Sequence, residues 1–172
     1  MIQSALRAAA EESRHTQACL NMAARYDGAT WDMPALPVPT DQVDDKNVSE
    51  FVRETWMDGC IGEGLAAELA RARAAVCPPE RGRDVLSTIA AEENRHAALG
   101  FEILKYMVDL EGHRGEIARA ELAHLLRHAH APAFIQWRDR PCEAAEGRPS
   151  PRLGATLDRS IERGRALLAS AC

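Results

Sequence analysis

At 172 residues and 18.9 kDa the chain has the length of one domain, or of one domain with an appendage; 46% hydrophobic against 27% charged residues excludes a wholly disordered polymer. Aromatics are scarce at 5%, Ala and Leu recur, and Val, Ile and Thr are thin, a balance that favours helix over sheet. A net charge of −5 and a pI of about 5.7, without any long basic block, exclude an electrostatic footprint for nucleic acid or anionic lipid.

Residues 2–26 contain neither Gly nor Pro and read as a helix, ended by Tyr26-Asp27-Gly28 with the glycine as left-handed cap. A Pro- and Asp-rich connection over 27–47 follows. A second helix is expected over about 48–77, stopped by Pro78-Pro79, and its clustered Gly59, Gly62 and Gly64 signal either close approach of a neighbour or a local distortion. A third helix is expected over about 81–110 and a fourth from Glu116 to about His130, extending as far as Trp137. The stretch from Arg138 to Leu153 is Pro-, Gly- and Glu-rich and reads as a loose connection before a short helix over 155–169. No apolar run approaches a membrane span and the first residues lack a signal-peptide pattern, so the chain reads as cytoplasmic. Five cysteines without a CxxC pair indicate neither a disulfide framework nor a thiolate zinc site.

The sequence repeats itself once. Ala9-Ala10-Glu11-Glu12-Ser13-Arg14-His15 returns as Ala90-Ala91-Glu92-Glu93-Asn94-Arg95-His96. Each copy contains Glu-x-x-His, which on a helix sets a carboxylate and an imidazole one turn apart on the same face. Heptad spacing through the first pair gives Met1, Ala5, Ala8, Glu12, His15, Cys19, Met22 and Tyr26. Through the second it gives Leu86, Ile89, Glu93, His96, Gly100, Ile103, Met107 and Leu110. Both pairs are therefore expected on core-facing seams, where a carboxylate is expensive unless paired or coordinated, and two matching insertions point to convergence on shared metal.

This pattern resembles the ferritin-like di-iron carboxylate proteins, in which two helices each give Glu-x-x-His and two each give a single Glu. The resemblance covers residues 1 to about 110. It implies an all-α, ferritin-like four-helix bundle with one long crossover, over 27–47, whose extended reach of more than about 60 Å can run the length of a 25-residue helix of about 38 Å. Residues 1–112 would form the bundle and 113–172 a C-terminal helix and loosely structured tail. The implied cofactors are two iron ions, with manganese admissible, and the implied function is an oxidoreductase that reacts with dioxygen or peroxide or oxidises iron. Iron storage without an organic substrate, and a metal-free degenerate bundle serving as a structural or interaction domain, stand as alternatives.

The family's single Glu must come here from Glu54, Glu63 or Glu68, and depth separates them. Glu93 stands 15 positions after Pro78 and Glu63 stands 15 before it, whereas Glu54 and Glu68 stand 24 and 10 before it. For antiparallel neighbours the mismatches are about 14 Å for Glu54 and about 8 Å for Glu68. The expected metal ligands are accordingly Glu12, His15, Glu63, Glu93 and His96. Glu11 and Glu92 are expected in solvent or paired with Arg14 and Arg95. Glu121 and His124, another Glu-x-x-His, fall at the edge of an apolar stripe and are set aside. In the family a further helix precedes the first Glu-x-x-His, and here nothing precedes Met1; a fragment or internal start, a second copy completing the bundle as a homodimer, and substitution by the C-terminal helix are the three readings of that departure.

Overall fold

The structure, a computed structural model, describes residues 1–31, 47–78, 82–129 and 151–171. Most of the crossover, the expected extension to Trp137 and the loose connection after it lie outside the described residues. Those described are helical, without a strand: α1 (Ile2–Asp27), α2 (Val48–Glu54), a π-helical stretch (Thr55–Gly62), α3 (Glu63–Val76), α4 (Arg83–Asp109), α5 (Gly112–Arg127) and α6 (Pro151–Ser170). None of these helices is long and apolar enough to cross a membrane. Gly28 ends α1 as its sequence suggested, at φ 73°, with its N–H donated to the Ala24 carbonyl at 2.9 Å.

α2, the π-helical stretch and α3 form one continuous rod, and its buried positions explain the irregular middle. Val48, Val52, Trp56, Cys60 and Gly64 are buried at intervals of four. In an α-helix such a row drifts around the axis by about 40° per step. The wider π turn absorbs that drift and keeps the row facing one core.

This core joins Val52, Trp56 and Leu65 of the rod to Phe101, Leu104 and Val108 of α4, Leu122 and Leu126 of α5, and Leu157 and Ile161 of α6. Residues after 112, expected as an appendage, thus complete the main core rather than flank it. Trp56 is its centre: fully buried, edge-on to Phe101 with centroids 6.3 Å apart, and seated on Gly164 of α6, where a Cβ would lie 2.8 Å from the indole ring.

α1 behaves differently. It packs against α4, and it contributes no apolar side chain to the buried set; Ile2, Leu6 and Tyr26 are exposed at 76%, 69% and 69%. The expected core-facing seam of α1 is therefore corrected: Met1, Cys19 and Tyr26 face outward, and of the eight seam positions His15 alone is buried. The reason is the lack of a second neighbour on that side among the described residues. The corresponding seam of α4 holds, with Glu93, His96, Gly100 and Met107 all buried.

The π-helical stretch and α4 meet closely at two glycines. A Cβ on Gly100 would stand 2.6 Å from the Gly59 carbonyl carbon and oxygen, whereas a Cβ on Gly59 would meet the Gly100 Cα at an ordinary 3.5 Å. Close approach and distortion, posed as alternatives by the glycine cluster, both occur. This asymmetry sets an expectation: Gly100→Ala should destabilise the protein by about 1–3 kcal/mol through overpacking against backbone that has no rotamer to yield, while Gly59→Ala should be near neutral. Urea unfolding of the two variants measures the difference, and equal midpoints would contradict it.

Candidate metal centre

The two copies of the repeat face one another across the α1–α4 contact and exchange partners. His15 Nε2 lies 2.7 Å from Glu92 Oε2, and His96 Nε2 lies 2.8 Å from Glu11 Oε2. Arg95 donates to Glu11 at 2.8 Å and Arg14 donates to Glu92 at 3.5 Å. Each histidine is thus oriented by the first glutamate of the other copy, which in turn is held by the arginine beside that histidine. The Arg95 guanidinium, and then His96, hold the Glu11 carboxyl down at about 2, so it stays ionised. With the proton fixed on Nε2 by these carboxylates, each imidazole turns the lone pair of Nδ1 inward.

The inward nitrogens meet the second glutamates of the repeats. Glu93 directs one oxygen to each ring, Oε1 3.2 Å from His15 Nδ1 and Oε2 3.4 Å from His96 Nδ1. Glu12 Oε1 also touches both, 3.4 Å from His15 Nδ1 and 2.8 Å from His96 Nδ1. None of these contacts has hydrogen-bond geometry: His15 Nδ1, His96 Nδ1 and Glu93 Oε2 are buried polar atoms without a hydrogen-bond partner.

α3 delivers the remaining carboxylate. The Glu63 N–H is donated to the Asp58 carbonyl, five residues back, so the last π turn closes on Glu63 itself and sets the direction of its side chain. One ligand atom from each of Glu12, Glu63, Glu93 and His96 can be chosen so that all lie within 4.8 Å of one another. Burial, then the hydrogen bond and charge of Glu63, then Glu12, push the Glu93 carboxyl up to about 8, and burial foremost also raises Glu63. Three carboxylates and two imidazoles are thus crowded, and the raised Glu93 and Glu63 carboxyls hold protons where a cation could stand. A hard, oxygen- and nitrogen-seeking divalent cation fits this donor set and satisfies the orphaned atoms.

Of the five residues singled out in the sequence, Glu12, Glu63, Glu93 and His96 come together in one group, and His15 stands outside that group of four, touching its Glu12 and Glu93 through Nδ1. Glu12 departs in exposure, its side chain being 48% accessible because α1 is covered on one side only. The rejected candidates lie elsewhere. Glu54 is exposed, Glu68 pairs with Arg71, and Glu121 accepts from Ser49 at 2.7 Å and Arg53 at 2.9 Å, which ties α5 to α2. His124 is exposed and stacks near His128. Neither Cys19 nor Cys60 belongs to the cluster; burial pushes the Cys60 thiol up to about 12, leaving it protonated. The orienting role of Glu11 and Glu92 was not read from the sequence. Its signal was present, since both copies double the glutamate, but pairing was expected with the arginines alone.

These residues define an all-helical bundle with a buried carboxylate–imidazole cluster. Comparison with known protein families, curated proteins and solved structures finds no match to this chain.

The raised Glu93 carboxyl carries a pH expectation for the cation-free protein. Its folded value of about 8 exceeds the ordinary value of 4.5, so its contribution is complete below about 4.5 and is lost as pH rises through about 8. With chelator present, the urea midpoint should fall between pH 5 and pH 9, and Glu93→Gln should flatten that fall. A wild-type midpoint that rises over this range would contradict the charge crowding.

Proposed function

We propose that this chain is a ferritin-like di-metal carboxylate protein that binds two iron ions, manganese being admissible in either position, and acts as an oxidoreductase toward dioxygen or peroxide. The observation that carries the reading is the pair of buried imidazoles whose outer nitrogens are held by carboxylates while their inner Nδ1 atoms face the shared carboxylates Glu93 and Glu12. His15, His96, Glu93, Glu12 and Glu63 would hold the ions. Bound ferrous iron would supply the electrons that dioxygen or peroxide accepts. The protein's own part is to keep both rings in one tautomer through Glu11 and Glu92, to balance the negative charge with Arg14 and Arg95, and to leave access on the exposed side of Glu12. The resemblance to the ferritin-like family rests on the two Glu-x-x-His motifs and on Glu63 at equal depth.

Ile2 and Leu6, exposed one turn apart at the start of α1, support self-association of two copies along that helix, since adjacent apolar groups in water favour burial. Light scattering is expected to give a dimer; a monomer at all concentrations would remove this part of the reading.

Anaerobic titration with ferrous ion, followed by elemental analysis, is expected to give two ions per chain. His15→Ala and His96→Ala should each reduce the stoichiometry, and Glu92→Gln, which meets the candidate ligands only at the outer nitrogen of His15, should weaken binding by about 10–100-fold. Loading should raise the melting temperature relative to the chelated protein. Admission of air should change the optical spectrum of the loaded protein, and oxidation that stops at two ions per chain would separate this reading from storage. Failure to retain iron, or binding indifferent to both histidines, would overturn it.

A further inference from the structure

On the side of α3 and α4 that faces α6, a cavity of about 290 Å³ opens to solvent. At the share of volume that one water takes in the liquid, about 30 Å³, it has room for roughly ten non-hydrogen atoms. None of Glu12, His15, Glu63, Glu93 and His96 lines it, so it is a second site rather than an extension of the first.

Its wall from α6 is basic. Arg159 and Arg163 stand one turn apart, and among the described residues neither has a carboxylate within ion-pair distance. Both are nevertheless held: Arg159 donates to the Thr156 hydroxyl at 2.8 Å, and the Arg163 guanidinium lies 4.1 Å over the centroid of the Phe101 ring. Such anchoring lowers the entropy lost when a ligand binds. The acidic lining residue, Glu68, is engaged by Arg71 and does not neutralise them. Between the arginines in sequence, Ser160 lines the cavity and makes no side-chain hydrogen bond among the described residues. Its hydroxyl is not sealed from solvent, so it can donate to a ligand in the cavity. The wall from α4 carries Ala97, Ala98 and the Phe101 ring beside Asn94.

We propose that this cavity binds a small organic carboxylate, its head held by Arg159, Arg163 and Ser160 and its apolar body resting against Ala98 and Phe101. Two guanidinium groups beside a hydroxyl favour a planar, bidentate oxyanion. The apolar wall distinguishes an organic acid from an inorganic anion, which would leave that surface in contact with water. The site belongs to α6 and the outer faces of α3 and α4, and it stands whether or not the carboxylate–imidazole cluster holds metal.

Calorimetric titration of the full chain with benzoate, benzamide and inorganic phosphate tests the assignment in the presence of chelator, which separates it from the metal reading. Benzoate is expected to bind with a Kd of about a millimolar or tighter, within the efficiency usual for so small a ligand. Benzamide and phosphate should each bind at least about tenfold more weakly. Arg159→Gln/Arg163→Gln should weaken benzoate at least about tenfold. Ser160→Ala, which removes one hydroxyl and leaves the packing intact, should weaken it about fivefold or more. Undetectable benzoate binding, equal affinity for benzamide, phosphate binding as tightly as benzoate, or benzoate binding unchanged in Ser160→Ala would each overturn the proposal, the last by placing the ion pair on the surface outside the cavity.

Discussion

Two imidazoles and their carboxylates can be buried between α1 and α4 because each finds its counter-group on the other helix. The buried residues of α1 are Glu11 and His15; Glu11 and the outer nitrogen of His15 are satisfied by α4 through His96, Arg95 and Glu92. No apolar side chain of α1 is fully buried in this contact. What attaches the helix is reciprocal pairing, and pairing at low dielectric is unforgiving: removal of one member leaves another charge desolvated and alone. A one-residue slip of α1 along α4 would set Glu11 and His15 against the wrong side chains. The repeat therefore specifies register as well as chemistry, and the inward-facing Nδ1 atoms are a by-product of that register.

The rest of the centre depends on α3 and α4 being a fixed pair. The Gly59–Gly100 approach brings the two backbones together without side chains between them, and one turn beyond Gly59 and about two before Gly100, Glu63 and Glu93 bring carboxylate oxygens within 4.8 Å of each other. Behind them the core of Trp56, Leu104 and Leu122 holds both helices from the opposite side. The carboxylates are crowded by a scaffold whose stability is supplied elsewhere, which is how a cluster that repels itself can persist.

Much of this was legible in the amino-acid order because it follows from period and distance. The start and stop of α1, the rod before Pro78 and α4 all follow from punctuation by Gly and Pro. Glu63 was separable from Glu54 and Glu68 because rise per residue converts sequence separation into height. The exposure of α1 was not legible: a heptad seam shows which face could be buried, and says nothing of whether a neighbour is there to bury it. Nor was the part played by α6, because its apolar positions carry no sign of which partner they meet. The crossed pairing of Glu11 and Glu92 was hidden for a related reason, since a motif read along one helix suggests partners on that helix.

The π-helical stretch also makes the aim of Glu63 sensitive to how a few residues are wound. It carries the surplus residue that reconciles the row of Val48 and Val52, facing α5, with the direction of Glu63. Winding the same residues as a regular α-helix would turn everything beyond Gly62 by about 100° for that one residue. Val48 and Val52 could keep their places against α5, but Glu63 would swing away from Glu93. Shortening the stretch by one residue would cancel that turn, so a deletion here disturbs the centre less than a substitution that enforces regular winding.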